Sequence, residues 1–156
     1  MSGTSRAVID GFLAQRRIAF IGVSRQPKDF SRLLFRELRQ RGYELIPVHR
    51  EAAEIEGLHT VRSLDEIEPA PDAVMVMTPP GASLDIVEQC ARLGIGRVWL
   101  YRAVGPGSVT PEAVEACDRH GIEVVAGECP LMFLPKAGWI HSLHRGIRTL
   151  TGGMPH

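Results

Sequence analysis

Short apolar runs alternate with amphipathic segments along this chain, and the alternation limits the available folds more than any other feature. The first run covers residues 18–23 and reads Ile-Ala-Phe-Ile-Gly-Val, between two arginines and a loop containing Ser and Pro. A continuous apolar run of this length is typical of a strand buried on both faces. Residues 31–41 follow with leucines at helical spacing, and Gly42 stands where a helix C-cap is expected.

The same pattern recurs along the rest of the chain. Further strands are predicted at Glu44–Val48, residues 72–77, Arg97–Leu100 and Glu123–Ala126. The intervening helices are predicted at Ser83–Leu93 and Pro111–His120, the second with Thr110 as its N-cap. Strand, helix and strand at this spacing give right-handed crossovers and a parallel sheet. The sequence therefore predicts a doubly wound α/β fold with a sheet of about five strands.

Two predicted helices lie outside this repeat. Ser5 caps an opening helix that ends near Gln15, and residues 138–150 form a closing amphipathic helix. We expect the apolar stripe of the closing helix to be buried on the domain or across a homodimer; it consists of Trp139, Leu143, Ile147 and Leu150. Between residues 48 and 67 only a turn at residues 64–67 is predicted, so the crossover there should be short.

Length and composition indicate one soluble domain. A chain of 156 residues with 44% hydrophobic and 23% charged residues fits a single globular domain, with a core at residues 17–129 and an extension at residues 130–156. The net charge of zero predicts neither nucleic acid nor an anionic membrane as a partner. Three cysteines without a C-x-x-C pair favour a reducing cytoplasm over a disulfide framework or a zinc site.

The loops after the predicted strands are where a ligand would bind, because open parallel sheets bind ligands beyond the carboxyl ends of their strands. The first loop begins Gly22-Val23-Ser24 and lacks the other glycines of a dinucleotide fingerprint. Gly22 still permits close approach of a pyrophosphate, and Ser24, Ser31 and the helix N-terminus offer donors. Positive charge is available from Arg25, Lys28 and Arg32. The alternative is an ordinary strand-to-helix turn.

The second loop carries His49 and Arg50, where an NAD-binding protein usually places an acidic residue. A guanidinium pairs with a phosphorylated ribose through forked hydrogen bonds, which favours NADP or coenzyme A (CoA) over NAD. A surface arginine without a ligand is the alternative. The third loop, Thr78-Pro79-Pro80-Gly81, forms a stiff wall suited to an adenine or pantetheine arm, or simply shapes the start of the next helix.

Several segments together resemble the small CoA-binding proteins, whose Rossmann-like domain is similar to the N-terminal domain of the succinyl-CoA synthetase α subunit. The resemblance covers about residues 17–129 and rests on residues 18–24, Pro27, Ser31, residues 41–48, residues 63–67, Pro79-Pro80 and residues 98–100. It implies that the CoA groove is lined by Gly22, Ser24, Ser31, Thr78, Pro79 and Pro80. The chain has His49-Arg50 where the family usually has Asn-Pro, and Tyr101-Arg102 where it has Gln, so we expect altered nucleotide contacts there.

The sequence favours a binding protein over an enzyme. It contains no G-x-S-x-G, no H-E-x-x-H and no P-loop, and no metal site is predicted because His141 and His144 lack a further ligand at clear spacing. Cys129 at the ligand edge is interpreted as a structural cysteine, or as a thiolate that reacts with a thioester or with CoA. The leading hypothesis is therefore a non-catalytic module for CoA or acyl-CoA. An NADP-dependent oxidoreductase and an interaction module with an empty groove are the alternatives.

Overall fold

The computed structural model describes residues 5–102 and 107–134. Their strands, in chain order, are β1 (Arg17–Ile21), β2 (Glu44–Val48), β3 (Glu54–Ile55), β4 (Leu58–His59), β5 (Ala73–Val76), β6 (Arg97–Leu100) and β7 (Glu123–Ala126). Five of them form one parallel sheet in the order β2-β1-β5-β6-β7. This confirms the predicted doubly wound α/β fold. β1 ends at Ile21, two residues earlier than the sequence predicts, so Gly22 and Val23 belong to the following loop.

The described helices lie within two residues of their predicted bounds. They are α1 (Arg6–Leu13), α2 (Phe30–Gln40), α3 (Ser83–Leu93) and α4 (Pro111–His120), with 3₁₀ turns at Leu64–Glu66, Pro80–Ala82 and Pro130–Met132. The Ser5 hydroxyl oxygen accepts a hydrogen bond from the Val8 amide, and that of Thr110 accepts one from Ala113. Both N-cap predictions are thus confirmed, as is the opening helix.

Helices cover both faces of the sheet, which explains why its strands are continuously apolar. On one face α3 and α4 pack against a cluster that includes Ala19, Val74, Val98 and Leu100. On the other face α1 and α2 pack against a cluster that includes Ile18, Phe20, Met75 and Trp99. Successive residues of each strand alternate between these two cores, so the strands hold the loops at their carboxyl ends on a rigid base.

A small antiparallel hairpin follows β2, in the segment for which the sequence predicts only a turn and a short crossover. Its strands β3 and β4 have two residues each, and Glu56 and Gly57 join them, both at positive φ, 51° and 79°. Positive φ at both positions is characteristic of a type I′ hairpin turn. Two-residue strands show no hydrophobic periodicity, so the sequence pattern could not reveal them.

The predicted closing helix, with the stripe that begins at Trp139, lies outside the described residues. Among residues 5–102 and 107–134, no helix combines the length and the hydropathy needed to cross a bilayer.

Candidate functional site at the carboxyl edge of the sheet

The strand order locates a crevice. From β1 the chain moves outward to β2 and then returns to β5 on the other side of β1, so the order reverses between β1 and β5. In doubly wound sheets the loops separate at this point and leave room for a ligand. We call residues 22–29, which follow β1, the first wall, and residues 77–82, which follow β5, the second wall.

The two walls touch at their base, and Gly22 permits the contact. A Cβ atom on Gly22 would lie 2.6 Å from the backbone carbon of Met77 and 2.8 Å from the backbone nitrogen of Thr78. The φ of Gly22 is also positive, at 96°. Both the space and the backbone conformation therefore require glycine here.

Internal hydrogen bonds occupy the amide and hydroxyl groups of Ser24 in the first wall. The Ser24 amide donates to the Ser31 hydroxyl oxygen at 2.8 Å, and the Ser24 hydroxyl donates to the Asp29 carboxylate at 2.6 Å. The Gln26 amide donates to the Ser24 hydroxyl oxygen at 2.9 Å. The structure thus brings Ser24 and Ser31 together, as the sequence predicts for a common site, but it commits the Ser24 amide and hydroxyl to internal partners.

Arg32 lies behind the first wall and is largely buried, with 9% of its surface exposed. Its Nη1 donates to the carbonyl oxygens of Ser24 and Arg25, both at 3.1 Å. Its Nε and Nη2 donate to one carboxylate oxygen of Glu56 at 2.9 and 2.6 Å. Arg32, which the sequence offers as a source of charge for a ligand, is thus satisfied from within the protein.

Glu56, at the tip of the β3–β4 hairpin, was not identified from the sequence. Its carboxylate also accepts from Nη1 of Arg36 at 2.8 Å, and its carbonyl accepts from Nη1 of Arg39 at 2.8 Å. Hydrogen bonding from Arg32 is the largest influence on its carboxyl group, and together with Arg36 it lowers the pKa of Glu56 against the opposing effect of burial. Glu56 therefore loses its proton more readily than an ordinary glutamate.

Positive side chains with fewer hydrogen bonds and ion pairs than Arg32 lie at the rim of the crevice. Lys28 and Arg50 are exposed and form no ion pair with any residue that the structure describes. Arg25 forms an exposed pair with Glu51 at 3.2 Å. A pocket of about 250 Å³ lies beside the end of β2, and its lining includes His49, Arg50, His59 and Arg62.

The His49 ring shapes this rim. Its Nδ1 accepts hydrogen bonds from the amides of Glu51 and Ala52, at 3.0 and 2.9 Å, so the proton of the neutral ring resides on Nε2. His49 thereby fixes the turn that carries Arg50.

The second wall is held by hydroxyl groups instead of ion pairs. The Ser108 hydroxyl donates to the Thr78 carbonyl at 2.5 Å, and the Ser83 hydroxyl donates to the Ser108 carbonyl. Pro79 and Pro80 carry the wall into α3. The Thr78 hydroxyl oxygen is buried, and it has no hydrogen-bond partner among the described residues. A buried hydroxyl without a partner is unusual, because its desolvation is uncompensated.

An aromatic pair extends the site toward β6 and β7. The rings of Phe30 and Tyr101 are stacked, with centroids 5.6 Å apart and planes inclined by 22°. Burial is the main cause that raises the pKa of Tyr101, with a smaller contribution from the neighbouring Cys129 thiol. Tyr101 is among the predicted site residues. Phe30 is not, because in the sequence it is only the residue before a predicted helix.

The other two cysteines, Cys90 and Cys117, are fully buried between α3, α4 and the sheet, as their positions on the inward helix faces predict. Burial raises the pKa of each thiol to about 12. Both therefore remain protonated and serve as packing residues. Among the residues that the structure describes, no group of three His, Cys, Asp or Glu side chains is arranged to hold a metal ion.

Comparisons with known proteins assign this arrangement to a family. The family model described as CoA binding domain matches residues 16–135, which include both walls. The chain is 25% identical over 130 residues to the alpha subunit of ADP-forming acetate–CoA ligase II of Pyrococcus furiosus, covering 78% of this chain but 28% of that subunit. It is 28% identical over 130 residues to the uncharacterized protein YneT of Bacillus subtilis, covering 83% of this chain and 93% of that protein.

A solved structure extends the likeness to the fold. A hypothetical protein from Pyrococcus horikoshii superposes with a TM-score of 0.76 at 24% identity, covering 83% of this chain and 89% of that one. The matches support CoA as the ligand and give no support to NADP. The resemblance seen in the sequence is thus confirmed, and the chain belongs to the CoA-binding domain family.

Proposed function

We propose that this protein binds CoA or an acyl-CoA in the crevice between the first and second walls, as a non-catalytic binding or regulatory module. The observation that carries the proposal is the family match, which runs without interruption across both walls of a crevice at the point where the strand order reverses. Similar positions bind nucleotides in other doubly wound sheets.

The residues of the crevice fit the chemistry of CoA. The buried Thr78 hydroxyl lacks a partner among the described residues and would bond to a polar group of the ligand once CoA displaces the atoms that cover it. Pro79 and Pro80 present an apolar surface of the kind a pantetheine arm requires. Lys28 and Arg50 supply rim charge for its phosphates, and we assign the ribose 3′-phosphate to Arg50 because a guanidinium donates two parallel hydrogen bonds to phosphate.

The non-catalytic part of the proposal rests on the reactive groups that the structure describes. Two of the three cysteines are inert because they are buried with raised pKa values. The ligase subunit named above is an enzyme component, but the similarity covers only 28% of it, so its activity does not carry over to this chain. Binding is therefore the function that we propose for this chain.

Titration calorimetry tests the proposal directly. The purified protein is titrated with CoA, acetyl-CoA, dephospho-CoA, NADP and NAD at one salt concentration. We expect saturable binding of CoA or acetyl-CoA, weaker binding of dephospho-CoA, and little binding of NADP or NAD. Failure of all five ligands to bind the folded protein would contradict the proposal and favour an interaction module with an empty groove. Release of free thiol from acetyl-CoA during the titration would contradict the non-catalytic role.

A further inference from the structure

Three arginines from successive turns of α2 converge on one residue of the hairpin. Arg32 and Arg36 both donate to the carboxylate of Glu56, and Arg39 donates to its backbone carbonyl. Glu56 has the positive φ that the two-residue turn demands, so its side chain is directed by the turn itself. The hairpin therefore supports α2 from its first turn to its last.

Two of these arginines, Arg32 and Arg36, also bond to the first wall. Arg32 donates to the carbonyls of Ser24 and Arg25, and Nη2 of Arg36 donates to the carbonyl of Pro27 at 3.0 Å. Three carbonyl oxygens of this loop are thus held by guanidinium groups. Because a peptide unit is planar, fixing a carbonyl also fixes the direction of the next amide, so these bonds set how the loop presents its dipoles.

The ion pair of Arg32 with Glu56 is better shielded from water than the ion pair that Arg25 of this loop forms with Glu51. The side chains of Arg32 and Glu56 are 11% and 18% exposed, whereas those of Arg25 and Glu51 are 61% and 69% exposed. An ion pair shielded from water retains more of its attraction, and removing one partner leaves an uncompensated charge. The position of Arg32 therefore depends on the charge of Glu56.

We infer that Glu56 is a positioning residue of the crevice: its carboxylate holds Arg32 and Arg36 so that they fix the carbonyl oxygens of the first wall away from an incoming anion. Its effect on CoA affinity rests on the proposed function, but its effect on the loop does not. Arg32 then acts as an internal clamp instead of a phosphate ligand.

The experiment compares Glu56→Gln, Glu56→Asp and Arg32→Lys with the wild type. Gln removes the charge at nearly constant shape, and Lys keeps the charge but cannot span the carboxylate and two carbonyls. Glu37→Gln is the matched control, because Glu37 pairs with Arg41 on the same helix at a similar exposure, 23% and 16%, but away from the loop. Each folded variant is measured without ligand by hydrogen exchange of the hydrogen-bonded amides in residues 24–29, which are those of Ser24, Gln26 and Asp29, and then titrated with CoA.

We expect the loop amides of Glu56→Gln and Arg32→Lys to exchange about tenfold faster or more, a change typical of lost local protection. Their CoA affinity should fall about 5- to 30-fold, in the range of ordinary coupling between sites. Glu56→Asp, which keeps the charge, should recover part of both losses. Glu37→Gln should leave both unchanged even if it lowers overall stability, which separates positioning from a general structural role.

The outcomes distinguish this inference from the proposed function. Unchanged exchange at residues 24–29 in both Glu56→Gln and Arg32→Lys overturns the inference, whatever happens to binding. Tighter CoA binding by Glu56→Gln also overturns it, because that sign means that Glu56 withholds Arg32 from the phosphate. If the wild type binds no CoA but the loop amides of the variants exchange faster as expected, the proposed function is wrong and the role of Glu56 in holding the loop is confirmed. If Glu56→Gln does not fold, the exchange rates of the loop amides in Arg32→Lys provide the same test.

Discussion

The two walls of the crevice lie side by side but are stabilised by different interactions. The first wall is held from behind by the guanidinium groups of Arg32, which is buried, and of Arg36, which is 39% exposed, and both pair with one carboxylate on a separate hairpin. The second wall contains two prolines and is held by the hydroxyl groups of Ser83 and Ser108. One wall therefore depends on charge and the other on neutral hydrogen bonds and restricted backbone.

From this difference we expect the first wall to face the anionic part of a ligand and the second wall to face its apolar part. The charged wall includes Lys28 and has Arg50 near it, and the neutral wall carries the Thr78 hydroxyl, which has no partner among the described residues. Substitutions in the first wall should therefore respond to pH and salt, whereas those in the second should not. The following predictions test that contrast in decreasing order of expected effect.

The largest effect should come from the point where the walls meet. Gly22→Ala places a Cβ against the backbone of Met77 and Thr78 at positive φ, so neither wall can yield by a simple side-chain rotation. We expect a loss of about 3 kcal/mol or more in the free energy of unfolding, from strain and overpacking together. Urea denaturation measures it.

The matched control for that substitution is Gly81→Ala on the second wall. A Cβ on Gly81 would meet no heavy atom within 4 Å, so its effect should stay within about 0.5 kcal/mol. Equal losses for the two alanine variants would show that the walls do not depend on close contact at Gly22.

The second prediction concerns the charged rim. Arg50→Ala should weaken CoA binding by about 10- to 150-fold, because a charge-assisted hydrogen bond to the 3′-phosphate is worth about 1.5–3 kcal/mol. Dephospho-CoA lacks this phosphate, so the variant should bind the two ligands nearly alike in calorimetry, whereas the wild type prefers CoA.

Arg92→Ala controls for the loss of one positive charge, because Arg92 lies in the last turn of α3, at the opposite end from the crevice. It should keep the wild-type preference. If Arg50→Ala also keeps the full preference, the 3′-phosphate is held by another group, and Lys28, Arg25 and Arg102 are the next candidates.

The third prediction concerns the neutral wall. Thr78→Val replaces a buried hydroxyl that has no partner among the described residues with a methyl group of similar size. The free protein should gain up to about 1 kcal/mol in stability, while CoA affinity falls by up to about tenfold. Thermal unfolding measures the change in stability, and calorimetry measures the change in CoA affinity. A loss of stability would mean that the hydroxyl is already satisfied within the protein.

The contrast between the walls also shows what a sequence can reveal. Apolar runs and capping residues predicted the five sheet strands and four helices, because both are local patterns, and the sheet alone then located the crevice. The hairpin escaped prediction because its two-residue strands show no periodicity, and the role of Glu56 escaped because its contacts with Arg32 and Arg36 join segments far apart in sequence. Arg32 and Arg50 are the same residue type in the sequence, yet Arg32 is buried against a carboxylate and Arg50 is exposed. Only burial distinguishes a clamp from a rim charge.

The smallest predicted effect is a pH dependence of Glu56, which supports the first wall through Arg32 and Arg36. Because Arg32 and Arg36 lower the pKa of Glu56 in the folded state below its ordinary value of 4.5, the folded protein binds this proton less readily than the unfolded chain. Glu56 therefore contributes stability in full above the unfolded pKa and loses that contribution as pH falls through the folded pKa. The effect is small because burial opposes the arginines.

Urea unfolding of the wild type and Glu56→Gln between pH 7 and pH 3 measures this contribution. The difference in the free energy of unfolding should be constant from pH 7 to about pH 5.5 and shrink from about pH 4.5 downward, because protonated Glu56 resembles glutamine. Glu51→Gln, which removes the exposed partner of Arg25, should differ little from wild type at any pH, since surface pairs contribute about 0–1 kcal/mol. A difference for Glu56→Gln that widens on acidification would contradict the sign, because it would mean that Glu56 is held in its protonated form.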